Sequence, residues 1–308
     1  MNVENDQKQE IGNKAFESND IHEDVILDKM PDILNILLVD RTTSTLKKMH
    51  NIIWANKNYL KYDSKKYAMT AEIKPELITG FMAGIICPRA LKTEEIKVKR
   101  TKSKAEVFTP TWIVKKQNDE VDKNFINDDL ETYVNRTWLE ITCGEAPYMT
   151  SRYDMDTGNL VSVNKRVGFV DRKIARINNE IDNKSEWQRL IEEAYKSSYG
   201  FEWNGDSLLL ARENLLCTYR DNFFAKWHEE PTPGLFKLIA KIISYNVFQM
   251  DGLKYTIPLT ERKEREIDPQ MSLFEDYSDE KWIVKPGKRV KIMNWEKNKM
   301  EFFDQGVK

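Results

Sequence analysis

The sequence has few of the residues that build covalent or metal-held frameworks. Cys87, Cys143 and Cys217 are its only three cysteines in 308 residues, and it has only three histidines. No CxxC pair occurs, and this spacing argues against a disulfide framework and against a structural zinc site. We therefore predict no metal site, and a reduced cytoplasmic compartment fits this cysteine usage best.

Long apolar runs are also missing. No uninterrupted apolar stretch approaches the roughly 20 residues that a membrane-spanning helix needs. The first residues are polar and acidic, without the basic and apolar segments of a secretory signal peptide. The sequence therefore predicts a soluble, intracellular protein that has no membrane partner.

Neither sign of charge is in excess. Charged residues make up 32% of the chain, but 48 Lys+Arg against 50 Asp+Glu leave a formal net charge of −2. A nucleic-acid partner would therefore have to meet a local basic patch. The hydrophobic content of 40% is enough for a sizeable core.

The N-terminal third of the chain is mixed in character. Residues 1–24 are poor in large apolar side chains, which predicts a loose polar arm. In the mixed region over residues 25–104, a helix is expected from Pro31, and NIIWANKNYLKY predicts short strands around a polar turn. The basic run from Lys97 to Lys104 is interpreted as a solvated linker, with phosphate contact as the alternative.

Apolar runs alternate with amphipathic helices over residues 105–260. The runs TWLEI, YGFEW and YNVFQM predict strands of a parallel α/β sheet. Helices are expected to begin at a cap on Ser185, at a cap on Asp206 and after Pro233. The second of these helices is expected to alternate between core and solvent at Leu208, Leu209, Arg212 and Leu216, and the first to bury Trp187, Leu190, Ile191, Ala194 and Tyr195.

The last segment, residues 261–308, differs in kind. Its polar excursion, EREIDPQMSLFEDYSDEK, starts at Glu264. The sequence WIVKPGKRVKIMNWEKNKMEFF follows and predicts short strands joined at Pro286-Gly287 and Lys297-Asn298.

Four segments in a fixed order carry a resemblance to a known family. They are AEVFTPTWIVKKQ, TWLEITCGEAPYM, YGFEWNGDSLLLARENLL and YNVFQMDGLK. Together they resemble the cofactor half of bacterial restriction-modification DNA adenine N6-methyltransferases, the restriction subunit M proteins, over roughly residues 107–253. The resemblance implies an α/β fold, namely the Rossmann-like sheet of a class I S-adenosylmethionine-dependent methyltransferase.

The first two segments would frame the methionine end of S-adenosylmethionine. By resemblance, Phe108, Thr109 and Pro110 line that end. Glu140 ends the first strand, and the loop after it carries Gly144. A tight turn there would let backbone N–H groups approach the carboxylate of the cofactor.

The last two segments would hold the nucleoside. By resemblance, Glu202 ends the second strand and accepts hydrogen bonds from both ribose hydroxyls, and Trp203 offers a face for the adenine. Asp251 ends the third strand, where a carboxylate accepts from the adenine amino group.

Two features depart from the family pattern. Ala146 and Pro147 stand where the family has small residues, and proline removes a backbone donor. The (Asn/Asp)-Pro-Pro-(Tyr/Phe) loop that holds the flipped target base does not occur anywhere in the sequence. Asp268-Pro269 is only a weak candidate for a degenerate equivalent, so no catalytic residue is assigned.

Three functions therefore stay open. The first is a methyltransferase that acts on double-stranded DNA in a restriction-modification or phage-defence system. The second is a catalytically degenerate subunit that binds cofactor or DNA and works with a restriction or specificity subunit. The third is a Mg²⁺-dependent nuclease built on Asp63, Glu72 and Lys74, a pattern that arises readily in a charged chain.

Overall fold

The structure is a computed structural model that describes residues 31–92, 109–265 and 282–306, and all structural statements refer to these ranges. The predicted arm over residues 1–24, the basic run from Lys97 to Lys104, Phe108 and the Asp268-Pro269 pair lie outside the described residues.

Eight helices are present in the described ranges. They are α1 (Pro31–Leu38), α2 (Thr111–Asp122), α3 (Leu130–Asn135), α4 (Phe169–Glu180), α5 (Lys184–Lys196), α6 (Gly205–Trp227), α7 (Pro233–Asn246) and the short α8 (Phe303–Gly306). Single turns of 3₁₀ helix occur at Pro75–Leu77, Gly80–Met82, Arg89–Leu91 and Val163–Lys165. No helix among the described residues is both long enough and apolar enough to cross a membrane.

Three short strands form the central sheet. They are β1 (Trp138–Glu140), β2 (Ser198–Glu202) and β3 (Val247–Gln249), and they lie parallel in the order β1-β2-β3. Helices α4 and α5 connect β1 to β2, and α6 and α7 connect β2 to β3. The prediction of a parallel α/β sheet is confirmed in this form, and the described chain is a mixed α/β protein with small sheets.

Two antiparallel ribbons follow the central sheet. One consists of β4 (Arg262–Arg265) and β5 (Trp282–Lys285), and the other of β6 (Lys291–Asn294) and β7 (Lys299–Phe302). The tail is strand-rich as predicted, but β5 pairs with β4 and not with β6. Of the two predicted junctions, only the one at Lys297-Asn298 is therefore a hairpin.

The helix starts differ from the predicted caps. Helix α5 begins one residue before Ser185, because the side chain of Asn183 accepts the N–H of Glu186 at 3.0 Å. Helix α6 begins after Asn204, and Asp206 lies inside its first turn. Both cap predictions are wrong because the preceding asparagine occupies the N-cap position.

Helix α6 is buried around nearly its whole circumference in its first four turns. The side chains of Leu208, Leu209, Arg212 and Leu216 are all buried, so the predicted alternation between core and solvent is wrong. The predicted stripe of α5 is confirmed, because Trp187, Leu190, Ile191, Ala194 and Tyr195 are all buried. Helix α6 is thus the central helix of the core, packed against α1, α4, α7 and the sheet.

The N-terminal segment NIIWANKNYLKY does not form the predicted strands. It has only isolated bridges, Val39 to Asn51 and Ile53 to Glu72. The side-chain amide of Gln249 satisfies the backbone of Ile53, accepting its N–H at 2.9 Å and donating to its C=O at 2.8 Å. Because a side chain takes these two backbone groups, no strand partner is needed there.

Candidate functional site

A cavity of about 1230 Å³ lies at the carboxyl ends of the three parallel strands. Open α/β sheets bind ligands at this edge, because the loops after successive strands meet there. Six of the eight predicted cofactor-binding residues line it, namely Thr109, Glu140, Gly144, Glu202, Trp203 and Asp251. Pro110, at the N-cap of α2, is not among the lining residues.

Glu202, the last residue of β2, ties two loops of the cavity together. Its Oε2 accepts the N–H of Gly144 at 2.9 Å, and its Oε1 accepts the N–H of Asn204 at 3.0 Å. Burial raises the pKa of Glu202, although the backbone donors of Asn204 and Gly144 oppose the shift. Oε1 also accepts from the side-chain Nδ2 of Asn204 at 3.2 Å, so a ligand would use the open position on Oε2 or replace this contact.

The loop after β1 turns sharply through left-handed backbone. Thr142, Gly144 and Ala146 have φ values of +48°, +55° and +62°. Only glycine adopts this region without cost, so Thr142 and Ala146 hold strain of the kind that concentrates at functional sites. The N–H of Cys143 donates to the C=O of Phe201 at 2.8 Å and so holds this loop against β2.

Glu140, at the end of β1, receives two backbone donors. Its Oε1 accepts from the N–H of Tyr148 at 3.2 Å, and its Oε2 accepts from the N–H of Met149 at 2.9 Å. Burial outweighs these donors and raises the pKa of Glu140 to about 8. The residue predicted as a cofactor contact therefore also fixes the far end of the loop that contains Gly144.

This raised pKa predicts a pH-dependent stability. The folded chain keeps a proton on Glu140 that the unfolded chain releases near the ordinary value of 4.5, so stability should fall as pH rises from about 4.5 to about 8. One such group contributes at most about 1.4 kcal/mol per pH unit. In urea unfolding at pH 5 to 8, Glu140→Gln should flatten this decline. The exposed control Glu120→Gln should not, and identical slopes for wild type and Glu140→Gln would contradict the assignment.

Asp251 follows β3 and stands beside the end of β2. The N–H of Met250 donates to the C=O of Glu202 at 3.0 Å, which holds the two strand ends together. Asp251 Oδ1 accepts the N–H of Leu253 at 2.9 Å, whereas no hydrogen bond from a described residue reaches Oδ2. One oxygen of this carboxylate is therefore available to a ligand.

Part of the cavity wall comes from the N-terminal region, for which the sequence predicted no role in the site. Ala55, Asn56 and Lys57 line the cavity, and the indole N–H of Trp203 donates to the C=O of Ala55 at 2.9 Å. The start of α6 allows this close approach, because a Cβ on Gly205 would lie 2.1 Å from the carbonyl oxygen of Ile53. No motif in the sequence signals this long-range contact.

The cavity is acidic. Four carboxyl groups line it, from Glu140, Glu145, Glu202 and Asp251, and Lys57 is the one basic side chain among the described lining residues. Glu145 also accepts the N–H of Arg89 at 2.9 Å and the hydroxyl of Tyr153 at 2.7 Å. Such a wall favours a ligand with positive charge and hydrogen-bond donors.

The residues of the nuclease hypothesis have other contacts. Asp63 Oδ1 accepts the backbone N–H groups of Lys65 and Lys66, and the carboxylate of Glu72 pairs with His50 at 2.8 Å. Within the described ranges, no group of three or more His, Cys, Asp or Glu side chains has an arrangement that could hold a metal ion. The structure therefore offers the nuclease hypothesis no support.

In comparisons with protein-family models, curated proteins and solved structures, no significant match to this chain was found.

Proposed function

We propose that the cavity binds S-adenosylmethionine and that the chain is a methyltransferase-like protein of a restriction-modification or phage-defence system. The observation that carries the proposal is the convergence of Gly144, Glu202 and Asp251 on one cavity at the carboxyl ends of parallel strands. These residues come from three separate segments of the resemblance. The Rossmann-like methyltransferase fold is part of the same proposal.

The residues present fit the cofactor. Glu202 would accept from the ribose hydroxyls and Trp203 would face the adenine, whose amino group would donate to the available oxygen of Asp251. Thr109 and the loop at Gly144 would frame the methionine, together with Phe108 and Pro110 by resemblance. Glu140 holds that loop in place through its bonds to Tyr148 and Met149.

Charge supports the same ligand. S-adenosylmethionine brings a sulfonium cation that carries a transferable methyl group. Besides Glu140, whose pKa of about 8 keeps it mostly protonated at neutral pH, three carboxyl groups face one lysine in the wall, and this excess favours a cation. Demethylated cofactor lacks the sulfonium charge, so this wall should bind it less tightly than S-adenosylmethionine.

A second candidate is a subunit without chemistry of its own. The target-base tetrapeptide is absent from the sequence, and the central sheet has three strands in the described ranges. On β1, the side chain of Leu139 and the adjoining Ile141 are exposed. Such a chain would bind cofactor or DNA and rely on a partner subunit for the base pocket. DNA as the substrate rests on the family resemblance.

Two measurements on the full chain test these candidates. Calorimetry should show saturable binding of S-adenosylmethionine, with weaker binding of S-adenosylhomocysteine. Tritiated methyl transfer to unmethylated double-stranded DNA then separates an active enzyme from a degenerate subunit. Absence of S-adenosylmethionine binding by the folded chain would remove the enzyme and the cofactor-binding subunit, and would leave only a subunit that binds DNA.

A further inference from the structure

A lysine-rich loop borders the cavity at the strand ends. It comprises residues 56–68 and is named the lysine loop here, and the N–H of Ala55 closes it by donating to the C=O of Met69 at 2.8 Å. Asn56 and Lys57, at its start, line the cavity. Its four lysines all have exposed side chains, namely Lys57, Lys61, Lys65 and Lys66. A chain with a net charge of −2 thus has a local basic surface beside the proposed site.

No salt bridge joins any of these four lysines to a carboxylate of the described chain. Many lysines of the helices are paired, as in Lys115 with Asp119 at 2.6 Å. Asp63 is the one carboxylate within the lysine loop, and its Oδ1 accepts the backbone N–H groups of Lys65 and Lys66. Its charge lowers the local positive potential without cancelling it, because four ammonium groups stand against one carboxylate. The loop therefore has an excess of positive charge that a polyanion would neutralise.

The backbone of the lysine loop is anchored by buried groups. The ring of Trp54 lies 4.6 Å from that of Tyr59 and 5.1 Å from that of Tyr67, measured between centroids. The carboxylate of Asp206 accepts from Nδ2 of Asn56 at 2.9 Å and from the hydroxyl of Tyr59 at 2.8 Å. None of these anchors is a lysine, so the lysines can be replaced without removing one. A loop that is already ordered also loses less conformational entropy when it binds a ligand.

The chemistry on the two sides of Lys57 favours a nucleic acid. The lysine loop suits an anionic backbone, and the carboxyl groups of the neighbouring cavity suit the amino groups of bases. An anionic membrane offers the charge without such donors. Tyr62 is the one exposed large apolar side chain of the loop, at 47%, and Nζ of Lys61 lies 4.9 Å from the centroid of its ring. This single ring gives little apolar surface to insert into lipid.

We propose that the lysine loop binds the phosphate backbone of double-stranded DNA and holds the duplex at the cavity. The choice of DNA rests on the proposed function, whereas the position of the contact rests on the charge, exposure and anchoring of the loop. Lysine contacts to phosphate carry no sequence information. The loop should therefore add affinity and salt dependence, and leave sequence preference to other parts of the complex.

Fluorescence anisotropy with a labelled duplex of about 20 base pairs tests the proposal on the full chain without cofactor. Each phosphate contact adds about 0.9 to the slope of log K against log salt, so three contacts weaken binding about 40-fold between 50 and 200 mM salt. The triple variant Lys61→Gln, Lys65→Gln, Lys66→Gln should bind at least about 10-fold more weakly at 100 mM salt. Its slope should be smaller by about 2 to 3.

A second triple variant provides a control with the same change in charge. Lys116, Lys165 and Lys241 are exposed lysines on α2, on the 3₁₀ turn at Val163–Lys165 and on α7, and none has a salt bridge to a described residue. Their replacement by glutamine should leave DNA affinity within about 3-fold of wild type. Both triple variants should keep the wild-type midpoint of urea unfolding and the wild-type affinity for S-adenosylmethionine.

Three results would overturn the proposal. One is unchanged DNA affinity and slope in the lysine-loop variant, and another is an equal loss in the control variant, which would indicate attraction by overall charge. The third is a wild-type chain that binds phosphatidylserine vesicles but not the duplex at 50 mM salt. Failure of S-adenosylmethionine to bind is a separate result, because the DNA titration contains no cofactor.

Discussion

Replacing Glu202 by glutamine is expected to weaken S-adenosylmethionine binding by about 100-fold or more. Two hydrogen bonds from ribose hydroxyls to a carboxylate contribute roughly 3 kcal/mol together, which corresponds to about a factor of 100 in Kd. An amide keeps only one acceptor oxygen, so one of the N–H groups of Gly144 and Asn204 loses its acceptor and the variant should also be less stable. Calorimetry on the folded variant gives the ratio directly.

A matched control separates binding from folding. Asp171 is a buried carboxylate that accepts the backbone N–H groups of Ser151 and Gly168, and it does not line the cavity. Asp171→Asn should lower stability at least as much as Glu202→Gln and leave the cofactor Kd unchanged. If Glu202→Gln binds like wild type, the proposed role of Glu202 is wrong.

Local periodicity predicted much of the fold. The three strands overlap the predicted runs, although β2 begins one residue earlier at Ser198, and α5 buries its predicted stripe because one face of the helix is apolar at the right spacing. The errors at Ser185 and Asp206 have one cause. In both helices an asparagine two residues earlier occupies the N-cap position, and in α5 its side chain accepts the N–H of Glu186. Competition between nearby polar residues for this position is hard to rank from sequence.

The site residues were predicted from the order of four segments along the sequence and not from hydrophobic periodicity. Glu140, Glu202 and Asp251 each end or follow a strand, and parallel strands bring such positions to one edge of a sheet. The contribution of Ala55, Asn56 and Lys57 was not predictable in this way. It depends on a side-chain amide, Gln249, that takes the place of a strand, and on close backbone contact at Gly205.

Arg212 shows why the predicted alternation of α6 residues between core and solvent was wrong. An arginine in an amphipathic sequence is usually placed at the solvent face. Here the guanidinium is fully buried and donates to backbone carbonyls, from Nε to Val247 at 2.7 Å and from Nη1 to Val39 at 3.0 Å and to Leu37. Its Nη2 also donates to the C=O of Ser244 at 3.3 Å. One side chain thus joins the ends of α1 and α7 to the start of β3.

Replacing Arg212 by methionine is expected to lower the free energy of unfolding by about 3–5 kcal/mol. The loss arises because carbonyls at two helix ends and one strand start would lose their common donor in a dry interior. Burial lowers the pKa of Arg212 to about 9, so the side chain is still charged at neutral pH. Its positive charge is attracted to the carboxyl-terminal ends of α1 and α7, which carry partial negative charge. Urea unfolding of wild type and variant measures the difference.

Two further variants make the result specific. Arg212→Lys keeps the charge but not the planar fork, so it should recover only part of the loss. Arg189→Met removes an exposed arginine of α5 that pairs with Glu131 and Glu186, and it should cost less than about 1 kcal/mol. An Arg212→Met loss as small as that of Arg189→Met would mean that the carbonyls find other donors. The N-terminal region would then be held to the sheet by apolar packing and by its other hydrogen bonds, such as those of Gln249 with Ile53.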